Sequence, residues 1–277
     1  MKAPPRRRWG QNFLVDRNAI VRIVEAAGTL AGSIPLEIGP GRGALTEQLL
    51  DRVERLVVVE IDPRLATALR ERFPSERLVV IESDVLTLDW QRVAESCGAP
   101  ASRKIAVIGN LPYNISKPFL MRMVEYRQLI DRAVLMLQRE VVDRVVAEPG
   151  NRDYGAMGVL VRAAYDVERL FDLGPGAFRP RPKVVSSVTR WEPRPREDLP
   201  EALELALRAC LKASFAHRRR TLFNNLRAAL AGDEDSAAAL LSRADLDGSL
   251  RPEAIPPEGY RRLADAWRSV LGPISRG

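Results

Sequence analysis

The chain has 277 residues, 46% of them hydrophobic and 29% charged, which suits a globular protein of one large or two modest domains with a full core. No apolar run approaches the roughly 20 residues of a membrane span, and no apolar stretch follows the basic start of the chain, which argues against a signal peptide. Cys97 and Cys210 lie far apart, which excludes a disulfide framework or a cysteine-rich metal site and suits a reducing cytoplasm.

The net charge of +7 is concentrated in two stretches. Residues 1–30 contain six Lys or Arg residues against two acidic ones, and residues 177–196 contain six against one. Concentrated basic charge suggests a polyanionic partner. Charge alone slightly favours a solvated basic face, so the partner has to be decided by motifs.

Short apolar runs alternate with helix-like segments through the first two-thirds of the chain. The runs predict strands at 34–39, 56–61, 78–82, 105–109 and 133–138. Continuous apolar strands separated by helices indicate a parallel sheet covered on both faces. A helix is expected around 154–164, and 165–173 and 184–191 are expected to close the sheet as a terminal pair of strands.

The composition changes at residues 192–198, where two prolines among charged residues indicate a linker. Beyond it the chain is rich in alanine and leucine, with helical spacing and no convincing strand. We therefore predict an α/β domain over 1–192, including the basic N-terminal segment, and a small all-helical domain over 193–277.

A glycine-rich segment stands where the first strand meets the first helix. Its G-x-G-x-G spacing, at Gly39, Gly41 and Gly43, lets a ligand approach the backbone but differs from the G-x-G-x-x-G of dinucleotide enzymes. Glu60 ends the second strand, where a carboxylate can grip ribose hydroxyls, and Asp84 follows the third, placed to accept from an adenine amino group. Taken singly, either carboxylate is also consistent with a helix N-cap or a surface charge.

These features together fall at the carboxyl ends of successive strands, where open α/β sheets bind ligands. The combination resembles the class I S-adenosylmethionine-dependent methyltransferases. That resemblance implies a Rossmann-like sheet and S-adenosylmethionine as the cofactor.

Asn110-Leu111-Pro112-Tyr113 directly follows the fourth predicted strand. Proline cannot continue a helix and keeps Leu111 extended, so we predict a rigid corner presenting an amide, backbone carbonyls and a phenol ring. A flat heteroaromatic amine fits these groups, because the carbonyls accept its hydrogens and the ring stacks on its face. The tetrapeptide alone is equally consistent with a strand-to-helix turn carrying a half-buried tyrosine.

This corner is similar to the amino-methyltransferase signature, (Asn/Asp/Ser)-Pro-Pro-(Tyr/Phe) and its relatives. In that chemistry the Asn110 amide oxygen and the Pro112 carbonyl would accept hydrogen bonds from the target amino group while Tyr113 stacks on the base. Positioning and electrostatics then carry most of the catalysis. We expect no metal and no strong general base, since the one histidine, His217, lies outside the predicted catalytic domain.

Three further stretches narrow the resemblance. They are Gly-Gln-Asn-Phe-Leu at 10–14, Gly-Ala-Phe-Arg-Pro at 176–180 with the Lys-Val that follows at 183–184, and Phe-Ala-His-Arg-Arg-Arg-Thr-Leu-Phe-Asn-Asn-Leu at 215–226. With the glycine turn and the Asn110 corner, they resemble the bacterial small-subunit ribosomal RNA adenine dimethyltransferase family (the kasugamycin-sensitivity methyltransferase) over nearly the whole chain. The resemblance implies transfer of two methyl groups to each of two adjacent adenines near the 3′ end of 16S ribosomal RNA, during small-subunit assembly.

The resemblance also implies roles for single residues. Those implied to hold S-adenosylmethionine are Asn12, Leu14, Gly39, Gly41, Glu60, Asp84 and Asn110. The target adenine would be held by Asn110, Pro112 and Tyr113, with Phe178 stacking from the opposite side. Phe178 is also compatible with a core aromatic, but its proline-rich, basic surroundings favour an exposed loop.

Arg218, Arg219 and Arg220 are predicted on a helix, where adjacent guanidinium groups point about 100° apart. Three charges alone are typical of a solvated helix end, but with the two basic stretches they favour binding of RNA phosphates. A target adenine in folded RNA would have to turn outward to reach Asn110. We expect a monomer that acts on 16S ribosomal RNA in the assembling small subunit, with no membrane or metal partner.

Other functions remain open from the sequence. A resistance-type adenine methyltransferase acting on large-subunit RNA shares the fold and chemistry, although Leu111 and residues 215–226 favour the small-subunit family. A non-catalytic RNA-binding assembly factor would not need Glu60, Asp84 and the Asn110 corner. The glycine spacing disfavours a dinucleotide oxidoreductase.

Overall fold

A computed structural model describes residues 11–96 and 102–272 of the protein. The chain forms two compact units. The first contains the residues up to Val142 together with Asp166–Pro193, and the second contains Asp143–Tyr165 together with the residues from Arg194 onward. The chain passes between the units three times, and the third passage, after Pro193, falls within the predicted linker. Residues 143–165, which we expected in the first domain, group with the C-terminal helices. The basic residues at 1–10 and Cys97 lie outside the described part.

The strands and helices follow one another along the described residues. The strands are β1 (Phe13–Leu14), β2 (Ile34–Ile38), β3 (Leu56–Glu60), β4 (Leu78–Glu82), β5 (Ile105–Asn110), β6 (Ile130–Gln138), β7 (Tyr165–Leu173), β8 (Phe178–Arg179) and β9 (Ser186–Pro193). The helices are α1 (Arg17–Ala26), α2 (Ala44–Leu50), α3 (Pro63–Arg72), α4 (Gln91–Ser96), α5 (Ser116–Glu125), α6 (Arg139–Val146), α7 (Ala156–Ala164), α8 (Glu201–Ser214), α9 (Leu222–Ala229), α10 (Glu234–Ala244) and α11 (Pro257–Leu271).

A seven-stranded sheet organises the first unit, in the order β4-β3-β2-β5-β6-β9-β7. Strands β2 to β6 run parallel, and β9 runs antiparallel to β6, which confirms the predicted α/β fold with its closing strands. Every residue of β2 and β3 is buried, as continuous apolar runs require when both faces are covered. The chain reverses its direction across the sheet between β2 and β5, so a crevice opens at their carboxyl ends.

Helix caps fix where the helices beside this crevice begin. The Asp16 side chain accepts from Ala19 N at 3.0 Å to start α1, and Asp62 accepts from Arg64 N at 3.1 Å to start α3. Each cap satisfies a backbone amide that has no partner in the first helical turn. The residues just before α3 are therefore held at the end of β3.

The second unit is helical, as predicted for its C-terminal part. Buried tyrosines fasten its loops: Tyr154 donates to Ile255 O and Tyr260 to Pro252 O, both at 2.8 Å. A buried phenol that finds a carbonyl keeps its burial favourable. In the described part of the chain, no helix combines the length and apolarity of a membrane span.

The prediction that Arg218, Arg219 and Arg220 lie on a helix is wrong. They occupy an exposed turn between the end of α8 and the start of α9. The Thr221 side chain accepts from Asn224 N at 3.3 Å, which makes Thr221 the N-cap and lets α9 begin only at Leu222.

Candidate functional site

A cleft of about 490 Å³ opens at the carboxyl ends of β2, β3, β4 and β5. Its walls are residues 11–15, 37–42, 44–45, 59–61, 65, 83–85 and 110–115. The residues implied to hold S-adenosylmethionine and those of the Asn110 corner all line this one cleft, whereas Gly43 of the glycine segment does not. Phe178 and the three arginines are not among the lining residues.

At the glycine turn after β2, the Phe13 ring lies close against the backbone. Gly39 and Gly41 have φ values of +66° and +57°, a region that favours glycine. A Cβ at Gly41 would lie 2.9 Å from Cδ1 of Phe13, whose ring is itself covered by the Arg42 guanidinium at 4.5 Å. Any side chain at position 41 would therefore displace Phe13 from the turn.

Glu60 joins the glycine turn to the end of β3. Its Oε2 accepts from Gly41 N at 3.1 Å and its Oε1 from Asp62 N at 2.9 Å. Burial raises the pKa of this carboxyl, while the two backbone hydrogen bonds oppose the rise. Each oxygen keeps a further lone pair, so the carboxylate can still accept from a ligand.

Asp84 lies at the end of β4 and is half-buried in the wall of the cleft. One carboxylate oxygen, Oδ1, accepts from Leu86 N at 2.9 Å. The side chain therefore also shapes its own turn, as Asp residues commonly do after strands.

The Asn110 corner is held on three sides. Asn110 Nδ2 donates to Asn12 O at 3.0 Å, and Leu111 N donates to Met136 O of β6 at 3.2 Å. Pro112 O accepts from Ile115 N at 3.1 Å. Because the amide nitrogen of Asn110 is directed at Asn12, its oxygen projects from the other side of the amide group.

Tyr113 is half-buried, and its phenol lies 3.0 Å from Oγ of the buried Ser186 at the start of β9. Burial raises the pKa of this phenol. The hydrogen bond fixes the direction of the ring, which the sequence alone did not predict.

Residues 11–15 form a strap along the cleft. Gln11 Nε2 donates to Asp62 Oδ2 at 3.4 Å, and Val15 N donates to Ala177 O at 2.8 Å. Between these ends β1 pairs antiparallel with β8, with Leu14 opposite Phe178. The strap thus touches the start of α3, the end of β5 and the segment that contains β8.

The prediction that Phe178 lies in an exposed loop is wrong. Its side chain is 0% exposed and packs in the same core cluster as Leu14 and Ile20. The aromatic ring fills the space under the strap, where burial stabilises the β1–β8 pair. A fully buried ring offers no face to a base, so here Phe178 supports the strap rather than the target.

Glu37 is a cleft residue that sequence reasoning missed. It is 1% exposed, and Thr46 Oγ1 donates to its Oε2 at 2.6 Å. Burial raises its pKa to about 8; the Thr46 hydrogen bond opposes the rise and the charge of Glu60 adds to it. A lone carboxylate inside an otherwise apolar, fully buried strand was the available signal.

Residues 4–250 match the family described as ribosomal RNA adenine dimethylase. The ribosomal RNA small subunit methyltransferase A of Aromatoleum aromaticum is 44% identical over 255 residues, 92% of this chain and 91% of that protein. The protein of the same name from Acidobacterium capsulatum is 43% identical over 262 residues, 94% of this chain and 89% of that protein.

Two solved structures share the fold over most of their length. The 23S rRNA methyltransferase ErmE has a TM-score of 0.66 and 28% identity, covering 92% of this chain and 99% of its own. A dimethyladenosine transferase from Plasmodium falciparum has a TM-score of 0.74 over 91% of this chain and 95% of its own, and at 22% identity it shows similarity of fold.

The Glu37 carboxyl predicts a pH-dependent stability. An unfolded chain loses this proton near the ordinary pKa of 4.5, whereas the folded protein keeps it until about pH 8. Because the folded state holds more protons between these values, the free energy of unfolding should fall as pH rises, by at most about 1.4 kcal/mol per pH unit.

Glu37→Gln removes this titration and keeps an oxygen for Thr46. We expect urea unfolding between about pH 5 and pH 8 to show a flatter stability profile for this variant than for the natural protein. Glu71→Gln, at an exposed position of α3, serves as the control. Equal slopes for the natural protein and Glu37→Gln would mean that Glu37 is ionised in the fold.

Proposed function

Because this chain belongs to the ribosomal RNA adenine dimethylase family, we propose that it dimethylates two adjacent adenines near the 3′ end of 16S ribosomal RNA. The acceptor would be the small ribosomal subunit during assembly in the cytoplasm, and the name of its curated relatives supports that subunit. One observation carries the proposal: the Asn110 corner and the glycine turn with Glu60 face the same cleft.

S-adenosylmethionine fits this cleft in size and in chemistry. The volume falls within the range of about 300–1,000 Å³ that is usual for small-molecule sites. Glu60 and Asp84 offer carboxylate oxygens for ribose hydroxyls and for an adenine amino group, and Gly39 and Gly41 line the same cleft. The residues that we propose to hold the cofactor are Asn12, Leu14, Gly39, Gly41, Glu60, Asp84 and Asn110. When bound, it supplies a methyl group already activated by a sulfonium.

The target amine has to be made nucleophilic, because the lone pair of an adenine amino group is delocalised into its ring. The Asn110 amide oxygen and Pro112 O would accept its two hydrogens, which favours a pyramidal nitrogen with a free lone pair. Pro112 O already accepts from Ile115 N and retains a second lone pair for this. Tyr113, oriented by Ser186, would stack on the base.

Positioning replaces acid–base catalysis in this scheme. An amine that has given up its lone pair to a methyl group becomes positively charged and acidic, so its proton needs no strong base. Of the three carboxyls that line the cleft, Glu37 is buried with a raised pKa, Glu60 accepts from Gly41 N and Asp62 N, and Asp84 accepts from Leu86 N. The chain's residues therefore act by holding the base and the donor in line.

Purified small and large subunits that lack the modification, offered with labelled S-adenosylmethionine, test the proposed function. We expect label only on the small subunit, and nucleoside mass mapping should find two adjacent dimethylated adenines. Transfer only to the large subunit would instead favour an activity of the kind named for ErmE. No transfer to either subunit would indicate a non-catalytic RNA-binding protein.

Asn110→Ala removes the amide proposed to hold the target amino group. The loss of one preorganised hydrogen-bonding group of this kind lowers kcat by about 100- to 1,000-fold, and thermal unfolding should show an intact fold. Asn18→Ala, at an exposed position of α1, should transfer methyl groups normally. Near-normal turnover of Asn110→Ala would refute the role of the amide.

Glu60→Ala removes the carboxylate proposed to bind ribose. A charge-assisted hydrogen bond contributes roughly 1.5–3 kcal/mol, so the cofactor Kd should rise by about 10- to 150-fold. Calorimetric titration measures this directly, with Glu71→Ala on the exposed face of α3 as control. An unchanged Kd would contradict the ribose assignment.

A further inference from the structure

The turn that carries Arg218, Arg219 and Arg220 is held by one buried side chain, that of Asn225. Asn225 lies in the first turn of α9 with 1% of its side chain exposed. Its Oδ1 accepts from His217 N at 3.0 Å. Its Nδ2 has two hydrogens, which it shares among three carbonyls, His217 O at 3.1 Å, Thr221 O at 3.2 Å and Arg220 O at 3.4 Å.

These hydrogen bonds brace both ends of one short segment. His217 precedes the arginines and Thr221 follows them, so a single amide fixes the backbone on either side of all three. Arg220 N also donates to His217 O at 3.1 Å, which closes the turn from within. The Cα positions of the arginines are therefore set by the protein before any ligand arrives.

The start of α9 is satisfied independently of any ligand. Leu222 N donates to Leu250 O at 2.7 Å and Phe223 N to Gly248 O at 3.0 Å. Helix amides that are already bonded are not available to an anion. The charge that this turn presents therefore comes from its guanidinium groups.

One of those groups is itself braced. A terminal nitrogen of Arg218 donates to Arg152 O at 2.6 Å, while the arginine turn as a whole is exposed. A braced guanidinium loses less conformational entropy on meeting a phosphate than a free one. Rigidity of this kind increases affinity by reducing the cost of ordering.

We propose that Asn225 is a positioning residue for RNA binding: it holds residues 217–221 in the shape in which Arg218, Arg219 and Arg220 meet RNA phosphates. The inference rests on the proposed function, since it assumes that these arginines bind RNA. Asn225 touches no RNA itself and acts only through the turn.

The inference is tested by measuring the Kd of protein variants for unmodified small subunits at several salt concentrations. The set comprises the natural protein, Asn225→Ala, Asn225→Leu, the triple change of Arg218, Arg219 and Arg220 to Ala, and the triple change combined with Asn225→Ala. Leucine keeps most of the asparagine volume without its hydrogen bonds. Cys210→Ala, which opens a small cavity at α8 of the same unit, is the control for a loss of folding stability. Arg268→Ala, at the end of α11, is the control for the loss of a surface positive charge elsewhere in the unit.

We expect the triple variant to weaken binding and to lower the slope of log Kd against log salt by about 0.7–0.9 for each phosphate that the protein no longer neutralises. Both Asn225 variants should weaken binding by about 5- to 20-fold, the equivalent of one or two neutral hydrogen bonds, and should lower the slope as well. Adding Asn225→Ala to the triple variant should change nothing further. Cofactor affinity and the salt slope of the Cys210 control should stay at the natural values.

Contrary results separate the inference from the function on which it rests. If the triple variant is impaired and the Asn225 variants bind with the natural slope, Asn225 does not position the arginines and the proposed RNA contact stands. An Asn225 effect that adds in full to the triple change also overturns the inference. If the triple variant binds normally, the RNA contact and the inference fail together, while methyl transfer to the small subunit still decides the enzymatic function.

Discussion

The hydrogen bond from Asn110 Nδ2 to Asn12 O is the contact on which the candidate site depends. It joins two residues 98 positions apart and orients the one side-chain amide of the corner. Without it the amide would be free to rotate and would present nitrogen or oxygen to the cleft with little preference. With it, Asn110 Nδ2 already donates to Asn12 O, and Asn110 Oδ1 is left as the acceptor, which is what the hydrogens of an amino group require. The cost of preorganising the acceptor is met during folding rather than during the reaction.

The same strap takes part in a closed network around the cleft. Gln11 contacts Asp62, Asp62 N contacts Glu60, Glu60 contacts Gly41 N, and Phe13 of the strap packs on Gly41. A change at one contact is therefore felt at the others, because buried polar networks and packed rings couple their members. Glu37 beside this network is 1% exposed, so the floor of the cleft is dry. Such a site favours electrostatic positioning, since charges and dipoles act strongly where water is excluded.

Features encoded by local sequence were predictable, and features set by distant pairing were not. The strands and the glycine turn followed from continuous apolar runs and glycine spacing, and Glu60 and Asp84 followed from their places at strand ends. The burial of Phe178 depends on pairing two-residue strands from far apart in the chain, which leaves no periodic pattern. The arginine turn was mistaken for helix because no glycine or proline separates α8 from α9, and the break depends on the Thr221 cap and on the bonds from Asn225 to the backbone of residues 217–221. Glu37 was passed over because it stands inside β2 and not after its carboxyl end, where ligand-binding residues are expected.

The central claim is that cofactor and target base meet at the oriented Asn110 amide. A crystal structure of the protein with an unreactive analogue of S-adenosylmethionine and an adenine-containing oligoribonucleotide tests it most directly. We expect the ribose at Glu60, the target amino nitrogen within hydrogen-bond distance of Asn110 Oδ1, and the contact from Asn110 Nδ2 to Asn12 O unchanged. A target amine held elsewhere, or an Asn110 amide turned so that its nitrogen faces the base, would contradict the claim.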